Sequence, residues 1–176
     1  MPAVGGTLEA LRSKHLRGVL LIPPALLIQL MPSRMEIAPG IVDPTRLSVA
    51  CWIVGALVLT AIAALNWHLH GMRVIAMGVC LNAIVIAANS GMPVGLSAVE
   101  FLGDGAGAAA AIEQSSLYHI QDGATRLLVL ADVVPAPGPS MFRGVVSLGD
   151  LLLFVGVTTT VAQASRSDCA QRTDQC

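Results

Sequence analysis

The chain of 176 residues is 55% hydrophobic and only 12% charged, with a mean hydropathy of +0.74. Soluble domains carry roughly a quarter charged residues, so this composition excludes an ordinary water-exposed surface. The formal net charge is −1, and no basic stripe is present to neutralise phosphates, which excludes a nucleic-acid partner.

Four long apolar runs predict an all-α fold: one polytopic membrane helix bundle with four transmembrane helices. Each run approaches the roughly 20 residues that a helix needs to cross a bilayer. The first contains Pro23 and Pro24, which remove two amide donors and predict a kink near its middle. In chain order the predicted spans cover about residues 15–31, 47–65, 72–88 and 145–162.

Basic residues predict the orientation of these spans. By the positive-inside rule, we expect both termini in the cytoplasm, with a cytoplasmic tail over residues 163–176. The abundance of Ala, Gly, Val and Arg indicates a bacterial source, so we expect a multi-pass protein of the bacterial plasma (inner) membrane. The basic residues on the predicted cytoplasmic side are Arg12, Lys14, Arg17, Arg73, Arg166 and Arg172.

The connection over residues 91–143, called the lid below, is too long for a simple loop and too apolar for a disordered linker. Its apolar run 127–134 reaches only about 12 Å as a helix and cannot cross a bilayer. We therefore expect an extracytoplasmic lid of short helices, ended by the prolines at 135–139. Whether segment 116–134 is re-entrant or interfacial stays open.

Polar residues inside the apolar runs are the first candidates for a site. Asn82, Asn89 and Gly78 share one face of the third span, which favours a packing seam over a ligand site. Asp150 lies near the start of the fourth span, with Ser147 one turn earlier. These two residues form either a helix cap or a buried functional pair, and both interpretations stay open.

The lid supplies the second group of candidates. If residues 119–126 are helical, His119, Asp122 and Arg126 lie on one side of the helix, with Asp122 and Arg126 as an i,i+4 ion pair. Asp132 follows on a different face, close to the prolines. A histidine one turn from a carboxylate suits a proton shuttle, but a structural network is the favoured interpretation.

Several kinds of chemistry are not indicated. No histidine lies in the middle of a predicted span, which argues against axial haem ligation. The cysteines lack metal-ligand spacing, and no nucleotide, zinc-protease or serine-hydrolase motif is present. We therefore expect no cofactor, no metal and no catalytic residue.

Residues 81–94, 118–119, 125–132 and 146–152 resemble a family of small bacterial membrane proteins described only as a domain of unknown function. The family's pattern reads Leu-Asn, Ala-Asn-Gly-Gly-x-Met-Pro-Val, a His, Leu-x-Asp before prolines, and Ser-x-Gly-Asp. This chain is one residue shorter at Ser90-Gly91. The resemblance implies a four- or five-helix membrane fold without a known activity. It also implies one polar cluster of Asn82, Asn89, His119, Asp132, Ser147 and Asp150.

Three functions are compatible with these observations. The favoured one is a non-enzymatic accessory or scaffold subunit, with membrane lipids and other membrane subunits or further copies of the chain as partners. The second is a small transporter or ion pathway that uses Asp150, Asn82 and Asn89. The third is an enzyme acting on a lipid-linked substrate at the outer leaflet, with His119 and Asp132.

Overall fold

The computed structural model describes residues 16–30, 43–103, 105–139 and 143–173. Arg12 and Lys14, two of the residues used to predict orientation, lie outside these ranges. Four helices form a bundle, and the lid with the strand that follows it closes one end. The helices are α1 (Ile22–Leu30, after the 3-10 turn Val19–Leu21), α2 (Pro44–Leu65), α3 (His70–Asn89) and α6 (Leu148–Thr173).

Two helices are long and apolar enough to cross a membrane. α2 has 22 residues and α3 has 20, which correspond to about 33 and 30 Å, close to the thickness of the hydrocarbon core. Their apolar windows are only 28% and 44% buried, unlike the core helix of a soluble protein. The apolar parts of the other two bundle helices, Val19–Leu30 and Leu148–Gln163, are shorter.

Local chemistry sets the ends of α2 and α3. Asp43 precedes α2, and its carboxylate accepts a hydrogen bond of 2.9 Å from the Thr45 amide, while Pro44 occupies the first turn, where no amide donor is needed. α3 ends at Ser90, which adopts the left-handed conformation (φ 55°) and donates its amide to Ile86. The chain therefore leaves α3 sharply and enters the lid.

The prediction of a kink in the first span was wrong. Pro23 and Pro24 lie in the first turn of α1, directly after the 3-10 turn that begins beyond Gly18. Proline fits this position because the first amides of a helix have no acceptor inside it. The prolines therefore start the helix instead of bending it.

Glycines bring α3 and α6 into backbone contact along an antiparallel seam. A Cβ atom on Gly78 would lie 2.6 Å from the carbonyl oxygen of Gly149, and one on Gly156 would lie 2.8 Å from that of Gly71. Contacts this short exclude any side chain, so glycine is required at these positions. The seam therefore fixes the position along α3 at which α6 begins.

The lid is not purely helical, contrary to the prediction. It contains two short helices, α4 (Leu96–Phe101) and α5 (Gly105–Glu113), together with strands. β1 pairs parallel with β2, and β3 pairs antiparallel with β4, which leads into α6. The strands are β1 (Met92–Val94), β2 (Tyr118–Ile120), β3 (Val134–Ala136) and β4 (Gly144–Val146).

Segment 116–134, expected to be a re-entrant or interfacial helix, instead contains β2, a turn and the 3-10 turn Leu128–Leu130. The Ser115 hydroxyl accepts hydrogen bonds from the amides of Leu117 and Tyr118, and Leu127 adopts a left-handed φ of 57°. Both features compete with helix formation. The predicted common helical face of His119, Asp122 and Arg126 therefore does not exist.

Candidate functional site

Three side chains form a hydrogen-bonded ring where α6 begins. The Asn82 amide donates to Asp150 Oδ1 (2.8 Å), and the Ser147 hydroxyl donates to Asn82 Oδ1 (2.9 Å). The Ser147 amide donates to Asp150 Oδ2 (3.1 Å), and the Asp150 amide donates to Ser147 Oγ (3.0 Å). The last two bonds are a reciprocal helix cap. Ser147 and Asp150 are thus a cap and, through Asn82, also a link to α3.

Asp132 is held beside this ring by its own backbone. Its amide donates to the carbonyl of Pro93 (3.0 Å), and its carbonyl accepts from the amide of Gly95 (2.8 Å). These bonds add Asp132 to the free edge of β1, opposite β2. Because β1 follows α3 almost directly, the pairing places Asp132 at the end of the bundle where α6 starts. We call this the lid end.

The Asp132 carboxyl is buried and incompletely paired. The residue is 6% exposed, and its Oδ1 atom has no hydrogen-bond partner. Burial, and then the nearby charge of Asp150, raise the pKa of Asp132 to about 7. Burial also raises the pKa of Tyr118, and the two aspartates add to that effect. An acid with these properties changes protonation near neutral pH.

Two cavities meet at Asp132. The smaller, of about 80 Å³, lies between the lid and the bundle, and its lining includes Trp52, Asn82, Tyr118, Asp132 and Asp150. The larger, of about 330 Å³, lies within the lid and the strand that follows it, and is mostly apolar. Asp132 and Tyr118 are common to the walls of both cavities.

The other predicted residues form a separate polar group. Asn89 donates to the carbonyl of Arg126 (2.9 Å) and accepts from its amide (2.8 Å). His119, Asp122 and Arg126 line an open cavity of about 420 Å³ next to Asn89 and Thr125. Neither Asp132 nor Asp150 lines that cavity.

Asp122 is engaged by its own turn instead of by Arg126. Its carboxylate accepts from the Thr125 hydroxyl and the Ala124 amide (both 3.0 Å), and the hydrogen bond from Thr125 is the main reason that its pKa is lowered. Among the described residues, no ion pair joins Asp122 and Arg126. The predicted i,i+4 pair is absent because these residues lie in a turn and not in a helix.

The structure thus divides the eight predicted residues. Asn82, Asp132, Ser147 and Asp150 meet at the lid end, whereas Asn89, His119, Asp122 and Arg126 lie around the second cavity. The described cavities that Asp132 lines do not include His119. Within the described residues, no three His, Cys, Asp or Glu side chains are placed to hold a metal ion.

Sequence analysis missed four residues that shape the site or the bundle. Tyr118 and Trp52 line the small cavity, and Gly149 allows Asn82 to reach the start of α6. Asn66 is fully buried, and its side chain makes paired hydrogen bonds of 2.9 and 2.8 Å with the backbone of Arg17. The one signal for Asn66 in the sequence was an amide between Leu65 and Trp67.

Comparison with known protein families matches residues 13–162 to a family of unknown function, DUF5317. No curated protein and no solved structure matches the chain.

Proposed function

The chain belongs to DUF5317, and from this premise we propose that it is a non-catalytic membrane protein that binds a cation at the lid end of the bundle. The cation is a proton or a small positively charged ligand. The single observation that carries the proposal is the unpaired carboxyl oxygen of Asp132, buried beside Asp150.

A buried acid beside a partly buried one requires a compensating positive charge. Both oxygens of Asp150 accept hydrogen bonds, whereas Asp132 has one oxygen without a donor. No ion pair joins either acid to a basic residue within the described part of the chain. Burial and the charge of Asp150 both make the ionised form of Asp132 unfavourable, so Asp132 binds a proton or a cation that compensates its charge.

The bundle below the site favours a binding protein over an ion pathway. The start of α6 is pressed against α3 by Gly78 and Gly149, with Leu153 beside them. The cavity of about 340 Å³ between α1, α2, α3 and α6 is lined by apolar side chains and one glutamine. An ion crossing there would find almost no polar partner in this conformation.

The membrane topology is part of the proposal. We propose four spanning segments, with both termini in the bacterial cytoplasm and the lid outside. The length of α2 and α3 and the apolar character of α1 and α6 support it, as do the basic residues near the predicted cytoplasmic ends. In intact cells that produce a variant without the native cysteines, a membrane-impermeant maleimide should label Ala124→Cys in the lid and spare His68→Cys at the other end. The reverse labelling pattern would refute this orientation.

Trp52 offers a direct test of cation binding, because it lines the cavity that contains Asp132 and Asp150. The chain has two tryptophans, and Trp67 lies after α2, at the opposite end of the bundle. In a Trp67→Phe background, the fluorescence of Trp52 should titrate with a midpoint near pH 7. Asp132→Asn should abolish that titration, whereas Asp122→Asn should leave it unchanged. A signal that stays flat from pH 5 to pH 9 would refute the proposal.

A role as an accessory subunit is the second candidate, and exposed apolar residues of the lid support it. Phe101 is 72% exposed and Val129 is 77% exposed, and Leu127 and Leu128 lie beside Val129. Neighbouring exposed apolar side chains such as those at 127–129 are typical of contact with a partner or with lipid. Crosslinking from Val129→Cys in native membranes should capture a specific protein, and Ala124→Cys is the matched control. Equal crosslinking from both positions would argue against it.

An enzyme at the outer leaflet would need His119 within reach of Asp132 or Asp150. His119 instead lines the cavity with Asp122 and Arg126, which neither aspartate lines.

A further inference from the structure

The cavity of about 330 Å³ inside the lid combines an apolar wall with one buried acid. Val94, Val99, Leu102, Ala108, Ile112 and Val145 form most of the wall, and Asp132 and Tyr118 supply polar groups. We propose that this cavity binds a small apolar molecule through a protonated amine that donates to Asp132. This inference rests on the proposed function and names the class of its ligand.

The volume and the wall set the size and polarity of the ligand. Small-molecule sites measure roughly 300–1,000 Å³, so this cavity lies at the lower limit and suits a compact molecule. Aliphatic side chains from β1, α4 and α5 surround most of it. A short branched or cyclic hydrocarbon group would displace water from the cavity, and this change in free energy is favourable.

The carboxyl of Asp132 selects the polar end of the ligand. Asp132 lines the cavity, it is only 6% exposed and its Oδ1 atom has no hydrogen-bond partner, so the carboxyl lacks a donor that an ammonium group would supply. An ammonium also neutralises the charge that burial and Asp150 make unfavourable. On binding, Asp132 would release its proton to solvent and accept the hydrogen bond of the amine.

The other polar groups around Asp132 agree with an amine. Asp150 on α6 adds negative charge. Tyr118 on β2 is uncharged at neutral pH, and burial and the two aspartates raise its pKa further above the usual value. Arg143 also lines the cavity, but it is exposed to solvent and donates to the carbonyl of Leu102 (3.3 Å). Its charge is therefore screened and its position is peripheral.

The Trp52 titration in the Trp67→Phe background provides the readout, with 3-methylbutylammonium as the probe. Because the amine binds the ionised form of Asp132, a concentration of ten times its Kd should lower the midpoint by about one pH unit. An alcohol of the same shape, 3-methylbutan-1-ol, should not shift the midpoint. Equal shifts by amine and alcohol, or no shift by the amine, would overturn the inference.

A zwitterion is the alternative that Arg143 could favour. Leucine has the same apolar group as 3-methylbutylammonium and adds a carboxylate. The inference predicts that leucine shifts the midpoint less than the amine does, because Arg143 is exposed to solvent and already donates to the carbonyl of Leu102. A larger shift with leucine would replace the simple amine by an amino acid as the ligand and overturn the inference as stated.

Filling the cavity separates this inference from the proposed function. Ala108 lines the cavity and Ala110 is exposed on the same helix. Ala108→Leu should abolish the shift caused by the amine but keep the titration near pH 7, and Ala110→Leu should keep both. If Ala108→Leu retains the full shift, the amine binds elsewhere. If wild-type protein shows no titration at all, the proposed function itself fails.

Discussion

An asparagine side chain closes each end of the bundle, but the two ends differ in which polar groups lack a hydrogen-bond partner. At the turn between α2 and α3, Asn66 makes paired hydrogen bonds with the backbone of Arg17. At the lid end, Asn89 makes the same pair with the backbone of Arg126. In each case a side-chain amide at the end of a long helix binds the backbone N–H and C=O of a single residue that is distant in the chain.

At the turn between α2 and α3, a basic and an aromatic side chain contact each other. Arg73 donates to the carbonyl of Trp67 (3.0 Å) and lies 5.8 Å from the centre of its ring. The lid end instead buries Asp132 with a free oxygen beside Asp150. The other end of the bundle is closed without a buried acid, so Asp132 is not needed to close the lid end. The comparison therefore points to the lid end as the site of function.

The largest effect is expected at the seam that positions the lid end. Gly149→Ala would drive a methyl group into the Asn82 amide and to 2.8 Å from the carbonyl oxygen of Gly78. We expect a loss of at least about 3 kcal/mol, or no folded protein, because the obstruction includes backbone. Gly144→Ala is the control, since nothing lies within 4 Å of its added Cβ. Equal thermal stability of the two variants would contradict the close contact between α3 and α6 at Gly149.

A second prediction concerns Asp132 and has a definite sign with pH. The pKa of Asp132 rises from 3.8 to about 7 on folding, so the folded state binds more protons between these values. Stability should therefore fall as pH rises from about 4 to 7 and stay constant above. Asp132→Asn removes this loss and should be more stable than wild type at pH 8, by at most about 4 kcal/mol.

Thermal unfolding in lipid nanodiscs at pH 5 and pH 8 measures this difference, with Asp122→Asn as the control. The pKa of Asp122 is lowered by hydrogen bonds within its turn, so this variant should gain no stability at pH 8. A stability advantage of Asp132→Asn that is larger at pH 5 than at pH 8 would show that the sign is wrong.

A smaller effect should distinguish the two asparagines. Asn66 is fully buried, so Asn66→Ala leaves backbone groups of Arg17 without partners, at a cost of about 2 kcal/mol. The bonds of Asn89 to Arg126 are exposed to solvent, and water can replace them, so Asn89→Ala should cost about 1 kcal/mol or less. If both variants lose the same stability, the two ends are more alike than the structure indicates.

The sequence predicted those features that depend on long runs of residues. The apolar runs that became α2 and α3 were recognised because their length and hydropathy exceed what a soluble helix needs. The strands of three residues in the lid could not be found, since they are too short for a periodic pattern. The prolines of α1 were misjudged because proline bends a helix in its interior but starts one in its first turn.

The site was predicted residue by residue but not as an arrangement. Asn82, Ser147 and Asp150 were candidates because they are polar within apolar runs, yet Asn82 and Ser147 are 65 positions apart in the chain. Their ring depends on Gly149, whose role follows only from the contact of two backbones. His119 and Asp132 were assigned to the same cluster, but β1 lies between β2, which carries His119, and the bridge that Asp132 makes with Val94.

The central claim is that Asp132 holds a proton in the folded protein near neutral pH, and infrared difference spectroscopy tests it most directly. Between pH 5 and pH 9, in lipid nanodiscs, the carbonyl band of one protonated carboxyl group should disappear with a midpoint near 7. The band should be absent from Asp132→Asn and present in Asp122→Asn. A spectrum without a protonated carboxyl at pH 6, or a band that persists in Asp132→Asn, would contradict the account.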